Sequence, residues 1–384
     1  MSSKPVAVIG AGLAGLSAAI TLQAAERDVV IYEGSDRVGG RVATDSIDGF
    51  ILDRGFQLIN ANYPELVHLD VLQELDFIFA PRTIEMSLGQ KRIALGDPRS
   101  NPLSSLNFAT GTLVEKLGFL RYLLRGAHSQ NSVEAELAHL GNLYSRVLKP
   151  FLSGVFLTSP AQVNAVTGKE LITSFISGRP GLPRKGVGAL PAALARRVEK
   201  IELNQLIDSL AQFGGQQVIV ATDLTTAAQL LDISNVQKLA SSTTWYHEVP
   251  QELTQSARLL IDGENRGPVI NSIVISNLVT TYSPQGRSLL ASTTLEFASE
   301  SEVRRHLALM WGVQTSQWSL IAKYEIPKSL PIFAVGNLSA QSSRISKNVY
   351  VAGDYRTAPS QNGALLSGRL AAQELLLDEG FERT

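Results

Sequence analysis

The sequence predicts an α/β protein in which a Rossmann-like domain is interleaved with an α+β domain, a mixed sheet under a helical cap. Three observations support this fold class. A glycine-rich turn joins a strand to a helix at the start of the chain, and a second strand–helix unit lies near its end. Between them, amphipathic helical patterns are followed by β-rich runs. This arrangement is typical of a parallel sheet whose strands are separated by insertions.

The composition excludes several functional classes. The 384 residues are 44% hydrophobic and 18% charged, which is ordinary for a globular protein. A formal net charge of −1 gives no electrostatic reason to expect nucleic acid as a partner. The sequence contains no cysteine, which excludes disulfides, Cys-ligated zinc and attachment of a cofactor through cysteine.

The sequence also bears on location. The first apolar strand begins about five residues after Met1, which we interpret as leaving no room for a signal peptide. No uncharged apolar run reaches the roughly 18 residues that a membrane-spanning helix requires. We therefore expect a cytoplasmic protein, with peripheral membrane contact left open and an oligomeric state that the sequence does not indicate.

The opening stretch "PVAVIGAGLAGLSAAI" predicts a buried strand followed by a dinucleotide-binding turn and a helix. Gly10 permits the tight turn, and Gly12 lets the backbone approach a pyrophosphate. Gly15 allows the helix to pack closely on the strand. The free N–H groups at the start of the helix then face the phosphates. A second predicted strand, Val29 to Tyr32, ends at Glu33, where a carboxylate can bind ribose hydroxyls and disfavours a 2′-phosphate.

A second glycine pair indicates which dinucleotide is bound. In "EGSDRVGGR" the acid Glu33 is followed by Gly39, Gly40 and Arg41, which suit a loop that closes on the cofactor. This stretch resembles the glutathione-reductase-like FAD fold, and within it the amine oxidase, phytoene desaturase and protoporphyrinogen oxidase superfamily. The resemblance implies a non-covalent FAD. It implies N-terminal contacts to FAD from Gly10, Ala11, Gly12, Leu13, Ala14, Gly15, Glu33, Gly39, Gly40 and Arg41.

The far end of the chain is similar to the C-terminal signature of the same superfamily. "NVYVAGDYRTAPSQNGALLSGR" predicts a strand over 348–352 and a helix that begins near Gln361. The N-terminus of that helix is suited to electron-rich atoms of the flavin. The resemblance implies that Gly353 and Asp354 contact the ribityl and phosphate part of FAD. It also implies that the backbone of Asn362, Gly363 and Ala364 contacts the isoalloxazine ring.

Two middle stretches agree with this interpretation. Gly186-Val187-Gly188 is not a second dinucleotide site, because no apolar strand is predicted before it and Pro191 replaces the third glycine. It resembles the linker that returns the chain from the substrate domain. The strand "QQVIVATD" resembles a second approach to FAD through Ala221, and Ile207 aligns with a backbone contact to adenine.

The resemblance also divides the chain into domains. We assign residues 1–60, 183–238 and 336–384 to a discontinuous FAD-binding domain. We assign residues 61–182 and 239–335 to a substrate-binding and cap domain.

The expected chemistry is hydride transfer from a C–H bond of an apolar or cyclic small-molecule substrate to N5 of the flavin. Oxygen, a quinone or another carrier would reoxidise the flavin. The sequence assigns a catalytic role to no particular residue. Lys323, Tyr324 and Tyr246 are the candidates that would face the pocket. A solvated edge lysine and packing aromatics are the competing interpretation. The histidines form no H-x-x-x-H pair, so no metal site is expected.

Two alternatives stay open. One is an amine or amino-acid oxidase, although Pro359-Ser360-Gln361 stands where monoamine-oxidase-like members carry an aromatic residue that cages the amine. That departure favours the desaturase and protoporphyrinogen oxidase branches. The other is a flavoprotein with a redox-neutral isomerase activity or with no catalytic role.

Overall fold

Two large sheets dominate a computed structural model of the chain, which describes residues 4–96, 107–234, 236–336 and 342–380. The predicted α/β fold class is confirmed by this architecture. The strands are β1 (Val6–Ile9), β2 (Val29–Tyr32), β3 (Thr44–Ile47), β4 (Phe50–Asp53), β5 (Ile59–Asn60), β6 (Phe77–Phe79), β7 (Thr83–Leu88), β8 (Lys91–Gly96), β9 (Pro180–Pro183), β10 (Ile201–Glu202), β11 (Val218–Val220), β12 (Leu239–Val249), β13 (Leu260–Asp262), β14 (Val269–Val274), β15 (Ser288–Thr294), β16 (Ser319–Pro331), β17 (Arg344–Ser346) and β18 (Val349–Val351).

The helices differ greatly in length, and the longest is the last. They are α1 (Leu13–Ala24), α2 (Pro64–Leu69), α3 (Leu113–Leu124), α4 (Val133–Leu137), α5 (Gly141–Leu143), α6 (Lys149–Phe156), α7 (Ala165–Ser177), α8 (Ala189–Ala195), α9 (Leu224–Leu230), α10 (Ile275–Leu278), α11 (Glu300–Trp311) and α12 (Gln361–Asp378).

The first sheet has six strands in the order β10-β2-β1-β11-β18-β17. Its pairs are parallel except for β17 and β18, which are antiparallel. The central strand β1 is buried along its whole length, as its β-branched, apolar sequence predicts. The carboxyl ends of β1, β2, β11 and β18 therefore lie at one edge of the sheet, where ligands bind in open parallel sheets.

The second sheet has seven strands in the order β16-β12-β15-β14-β13-β7-β8. It is antiparallel except between β13 and β7. The longest strands, β12 and β16, pair along their length with two register irregularities. Helices α4 to α7 form a separate apolar cluster above this sheet, to which β7 and β13 contribute Met86 and Ile261.

A short sheet, β5-β9-β6, corrects one expectation. Strand β9 ends three positions before Gly186, although no strand was expected there. Gly186-Val187-Gly188 nevertheless does not follow a strand of the parallel sheet, as a dinucleotide-binding turn would, because β9 belongs to the small sheet. Val187 donates its N–H to the Asp53 carboxylate at 2.9 Å instead of facing a phosphate.

The first and last helices pack directly on each other. Ser17 Oγ donates to the Leu365 carbonyl at 2.7 Å. A Cβ added at Gly368 would lie 2.0 Å from the Ala14 carbonyl oxygen, so the contact requires glycine. This contact places the N-terminus of α12 beside the glycine-rich turn of β1 and α1.

The strands of the six-stranded sheet all fall within 1–60, 183–238 and 336–384, and those of the seven-stranded sheet within 61–182 and 239–335. We keep these ranges as our proposal for the two domains, although residues 97–106 and the other gaps lie outside the described part. Within that part, no helix combines the length and apolar character needed to cross a membrane.

Candidate functional site

The three glycines of the first turn have three different surroundings. Gly10 has a φ of +103°, and a Cβ there would lie 2.9 Å from the Ala221 carbonyl oxygen. At Gly15 a Cβ would lie 1.9 Å from the Gly10 carbonyl oxygen. At Gly12, in contrast, a Cβ would meet no atom within 4 Å. Gly10 and Gly15 are therefore required by the fold, whereas Gly12 leaves open space for a ligand.

The Glu33 carboxylate holds this turn in place. Its Oε2 accepts a hydrogen bond from the Ala11 N–H at 2.7 Å. Its Oε1 accepts from the Ser35 N–H at 2.9 Å and from Ser35 Oγ at 2.7 Å. Oε1 thus accepts two bonds already, whereas Oε2 can accept a further one, so Glu33 can bind a hydroxyl group of a ligand while it orders the loop.

The second glycine pair lies against the first turn. Gly39 donates its N–H to the Ala11 carbonyl at 2.9 Å and forms a parallel bridge with Gly12. Gly39 and Gly40 have φ values of +106° and +56°. The two glycine motifs, separate in sequence, thus form one wall.

Arg41 connects this wall to the C-terminal motif. Its Nη2 donates to Asp354 Oδ1 at 2.7 Å, and its Nη1 donates to the Ser329 carbonyl at 2.5 Å. The Asp354 side chain is 3% exposed and that of Arg41 36%. The pair therefore links the end of β18 to the segment after Gly40 and to β16.

The start of α12 is capped by its own sequence. Ser360 Oγ accepts from the Gly363 N–H at 2.9 Å, and the Ser360 carbonyl accepts from the Ala364 N–H at 2.9 Å. The N–H groups of Gly363 and Ala364 thus have partners within the protein, and the contact of the backbone of 362–364 with the isoalloxazine ring stays a prediction. The Asn362 side chain is also engaged, because its Oδ1 accepts from the Glu65 N–H at 3.1 Å.

These elements surround a cavity of about 670 Å³. It is of the size that cofactor and substrate sites occupy. The residues of the sequence prediction that line it are Gly10, Gly12, Leu13, Ala14, Glu33, Gly39, Gly40, Arg41, Ile207, Ala221, Gly353, Asp354 and Ala364. Ala11, Gly15, Asn362 and Gly363 do not line it but hold the segments that do.

The backbone of Ile207 can contact a ligand in this cavity, and its contact with adenine stays a prediction. Ile207 lines the cavity and is 8% exposed. In the part of the chain that the structure describes, neither its N–H nor its carbonyl has a hydrogen-bonding partner. The described residues between β10 and β11 form no further strand, and their one regular element is a turn of 3₁₀ helix, Leu210–Phe213.

The cavity continues into a chamber between the helical cap and the seven-stranded sheet. The sequence did not reveal its residues, because apolar positions of a helix or strand look the same whether they face a core or a cavity. The apolar side chains of this wall are Phe56, Leu58, Phe151, Val155, Leu157, Leu171, Phe175, Leu259, Ile326 and Leu330.

Few charged side chains line the cavity. Those that line it in the described chain are Glu33, Arg41, Arg54, Asp223 and Asp354. None of them belongs to the cap helices or to the seven-stranded sheet. Arg54 is paired with Asp45 at 2.8 Å.

The two glycine motifs, Glu33 and the cavity together suit the binding of a dinucleotide beside an apolar chamber. The amino-acid sequence matches one family model, described as flavin containing amine oxidoreductase, over residues 13–376. The chain belongs to this family. It is accordingly an FAD-dependent oxidoreductase, as the sequence predicts.

Individual relatives of this flavin-containing family include two kinds of enzyme. The chain is 24% identical over 431 residues to the chloroplastic protoporphyrinogen oxidase of Nicotiana tabacum, with 88% of this chain and 77% of the relative covered. It is 48% identical over 66 residues to the putrescine oxidase of Kocuria rosea, which is only 17% of this chain and 14% of that enzyme. Among solved structures, an oxidoreductase from Methanosarcina mazei has the same fold, with a TM-score of 0.76 at 15% identity over 97% of this chain and 100% of that chain.

The open space at Gly12 agrees with membership of a flavin-containing family. The cavity wall there consists of backbone from both glycine motifs, and no side chain caps the N-terminus of α1. A dinucleotide pyrophosphate fits such a wall, because it needs close backbone approach and free N–H groups. The residues present thus suit FAD.

The catalytic candidates are not on the cavity wall of this flavoenzyme. Lys323 forms an ion pair with Glu325 and lies 4.7 Å from the Trp245 ring, on the opposite face of the sheet from Thr244. Tyr324 donates its hydroxyl to Asp45 at 2.8 Å. Tyr324 pairs with Thr244 and shares its face of the sheet, but neither Tyr324 nor Lys323 is on the cavity wall, and a contact of either with the flavin stays a prediction.

Tyr246 is also outside the wall, and its role is a packing one. It is fully buried, and its hydroxyl donates to the Asp53 carbonyl at 2.9 Å. The Asp53 carboxylate accepts from Thr44, Val187 and Tyr282, and burial raises the pKa of Asp53 to about 6. Tyr246 thus belongs to the polar network that holds the linker of 186–188 against the β3–β4 hairpin.

Proposed function

We propose that the protein oxidises an uncharged, apolar or cyclic substrate by removing a hydride from one of its C–H bonds. The single observation that carries this proposal is the chamber wall, to which the described residues of the cap and of the seven-stranded sheet contribute no charged side chain. A protonated amine in such a chamber would lose its hydration without gaining a counter-ion, at a cost of several kcal/mol. A neutral apolar substrate gains free energy from the same burial.

The chain's own residues divide the binding of FAD between them. Glu33 would accept hydrogen bonds from the ribose hydroxyls, and the backbone at Gly12 and Gly40 would contact the pyrophosphate. The paired Arg41 and Asp354 would contact the middle of the cofactor, and the backbone of Ile207 would contact adenine. The sequence contains no cysteine, and the proposed binding is non-covalent.

When bound, FAD supplies N5 as the hydride acceptor. The apolar side chains of the chamber position the substrate and exclude water, which keeps the transferred hydride from protons of the solvent. Tyr63 lines the cavity, and burial raises the pKa of its hydroxyl to about 12, so this group stays protonated at neutral pH and cannot act as a base. Because the described cap helices and seven-stranded sheet contribute no carboxylate or histidine to the wall, the proton that the substrate loses would pass to water outside the chamber.

An amine oxidase is the second candidate, supported by the similarity to putrescine oxidase over 66 residues. The same chamber would then have to bind the amine in its neutral form. This candidate predicts reduction rates that rise steeply with pH for amine substrates.

Anaerobic reduction of the bound flavin separates the two candidates. The protein is purified with FAD and mixed without oxygen with three groups of compounds: amines, reduced cyclic tetrapyrroles and polyenes. We expect bleaching of the visible flavin band by an uncharged, apolar compound and none by primary amines. The control is Leu171→Glu, which places a carboxylate in the chamber and should abolish that reduction while FAD stays bound. Reduction by amines alone would contradict the proposal.

A further inference from the structure

The wall that the seven-stranded sheet gives to the chamber contains a small set of polar side chains. They come from β12, β14, β15 and β16, and none is charged. The members are Ser242, Thr244, Asn271, Thr293 and Ser329.

Most of these polar groups are already satisfied or shielded within the protein. Ser242 Oγ and Ser329 Oγ lie 2.7 Å apart in a mutual hydrogen bond. Thr244 Oγ1 accepts from the Phe56 N–H at 3.1 Å. Thr293 Oγ1 has no partner, but it is fully shielded from solvent and from the cavity. In the described chain, none of these four hydroxyls therefore offers a ligand an accessible donor that is without a partner.

Asn271 is different. No hydrogen bond joins its carboxamide to the described part of the chain, and the residue is 6% exposed. Its Oδ1 and Nδ2 are not among the fully shielded polar atoms without partners. Because Asn271 lines the cavity and is otherwise buried, this small exposed surface is the part that faces the cavity.

The surrounding fold holds the carboxamide in the chamber. Asn271 is paired with Thr293 in the register of β14 and β15, so the residue sits in the middle of the sheet. On the other side, a Cβ at Gly154 of helix α6 would lie 2.8 Å from Asn271 Nδ2. The glycine therefore lets the cap helix close over the amide without covering it.

An amide buried without partners costs free energy, and a bound ligand or water that satisfies it removes this cost. A carboxamide offers two donors and an acceptor with two lone pairs, and it carries no charge. It therefore recognises a hydroxyl, a carbonyl or an N–H group and has no preference for an ion.

On the proposed function above, we propose that Asn271 is the specificity-determining residue of the chamber. It hydrogen-bonds a neutral polar group on an otherwise apolar substrate and fixes which part of that substrate lies against the sheet. The substrate class is thus an uncharged, largely apolar molecule with a hydroxyl, carbonyl or N–H group at this position. A pure hydrocarbon would leave the amide unsatisfied and bind less tightly.

The test uses the FAD-loaded protein and two probes of nearly equal shape, naphthalene and 2-naphthol. Equilibrium dialysis gives the dissociation constant of each probe, and the ratio of the two constants measures the preference for the hydroxyl. We compare the wild type with Asn271→Leu. The matched control is Thr293→Val, which removes a neighbouring hydroxyl that also lacks a partner but is shielded from the cavity.

We expect Asn271→Leu to reduce the preference for 2-naphthol about three- to tenfold, the range of one neutral hydrogen bond. Thr293→Val should keep the wild-type preference. Asn271→Leu should also keep the FAD content and the melting temperature, because the amide makes no bond within the protein; a lower melting temperature would show a structural role and overturn the inference. Binding of both probes with equal ratios in all three proteins would overturn it too, while leaving the apolar chamber intact. Binding of neither probe would contradict the proposed function itself.

Discussion

Asp354 accepts a hydrogen bond at 2.7 Å from Arg41, a residue 313 positions earlier in the chain. The carboxylate is almost fully buried, and the guanidinium reaches it from the loop after the second glycine pair. Because Arg41 also donates to the Ser329 carbonyl, it joins the six-stranded sheet to the long edge strand of the other sheet. The pair thus fixes the relative position of the two walls of the cavity.

The first prediction concerns this pair. Arg41→Met should lower the free energy of unfolding of the apoprotein by about 2–4 kcal/mol, since it leaves the Asp354 carboxylate buried without a partner. Asp354→Asn in the same chain should recover part of the loss, with a coupling of about 1.5 kcal/mol or more in a urea double-mutant cycle. The exposed pair of Arg54 and Asp45 is the control, with an expected coupling below about 1 kcal/mol. Equal coupling in both pairs would contradict the assignment.

The second prediction separates the roles of Gly12 and Gly15. Gly12→Val should leave the stability of the apoprotein nearly unchanged, because a Cβ there meets no atom within 4 Å and φ is −73°. The same change should weaken FAD binding about a hundredfold or more, since the side chain occupies the space of the pyrophosphate. Gly15→Ala should instead destabilise the apoprotein by roughly 3 kcal/mol, because its Cβ would lie 1.9 Å from the Gly10 carbonyl oxygen. Urea unfolding measures the stability, and equilibrium dialysis measures the affinity for FAD. A destabilised Gly12→Val protein would contradict the assignment of open ligand space to Gly12.

A third prediction concerns Glu33. Glu33→Ala should raise the dissociation constant of FAD about 10- to 100-fold, the range of charge-assisted hydrogen bonds. Glu33→Gln should fall between the two proteins, because one carbonyl oxygen remains as acceptor. Ser35→Ala is the matched control, since it removes the bond from Ser35 Oγ to Glu33 but leaves the carboxylate in place. Unchanged flavin content of Glu33→Ala after extensive dialysis would exclude Glu33 as the ribose ligand.

The fourth prediction is a pH dependence that His247 causes. His247 is fully buried, and neither ring nitrogen forms a hydrogen bond with the described part of the chain. Burial together with Arg304 lowers its pKa to about 4, while Glu300 at 3.9 Å opposes the shift. The unfolded chain thus binds a proton near pH 6.5 that the native protein refuses, and stability is lost as pH falls from 6.5 to 4. His247→Leu should remove this loss, which amounts to about 1.4 kcal/mol per pH unit and about 3 kcal/mol in all. Parallel curves of unfolding free energy against pH for the two proteins would disprove the assignment.

Local sequence was sufficient for the parts of the site that depend on short-range geometry. Gly10, Gly12 and Gly15 follow a strand at fixed spacing, and their roles can be deduced because a glycine has no side chain to block a tight turn or a close contact. The start of α12 at Gln361 was also predictable, although Ser360 as its cap was overlooked. The signal was present, since a serine directly before a helix commonly accepts its early N–H groups.

The errors arose where long-range register decides which way a side chain points. Lys323 and Thr244 lie in neighbouring strands, but Lys323 pairs with Trp245, the residue after Thr244. Because successive side chains of a strand point to opposite faces, Thr244 lies on the cavity wall and Lys323 on the other face. No local pattern specifies that register. The same reason hid Asn271 and the apolar residues of α6 and α7, which become a chamber only when the cap meets the sheet.

The contact of α1 with α12 has a consequence for the order of events during synthesis. The glycine turn proposed to hold one end of the cofactor is among the first residues to be synthesised. Leu365 and Gly368, which contact Ser17 and Ala14, are synthesised about 350 residues later. A nascent chain therefore carries an unfinished binding site until the segment beyond residue 360 has left the ribosome. We therefore expect cofactor capture to follow the packing of α12 on α1, and a chain that ends before α12 to lose its flavin on dialysis.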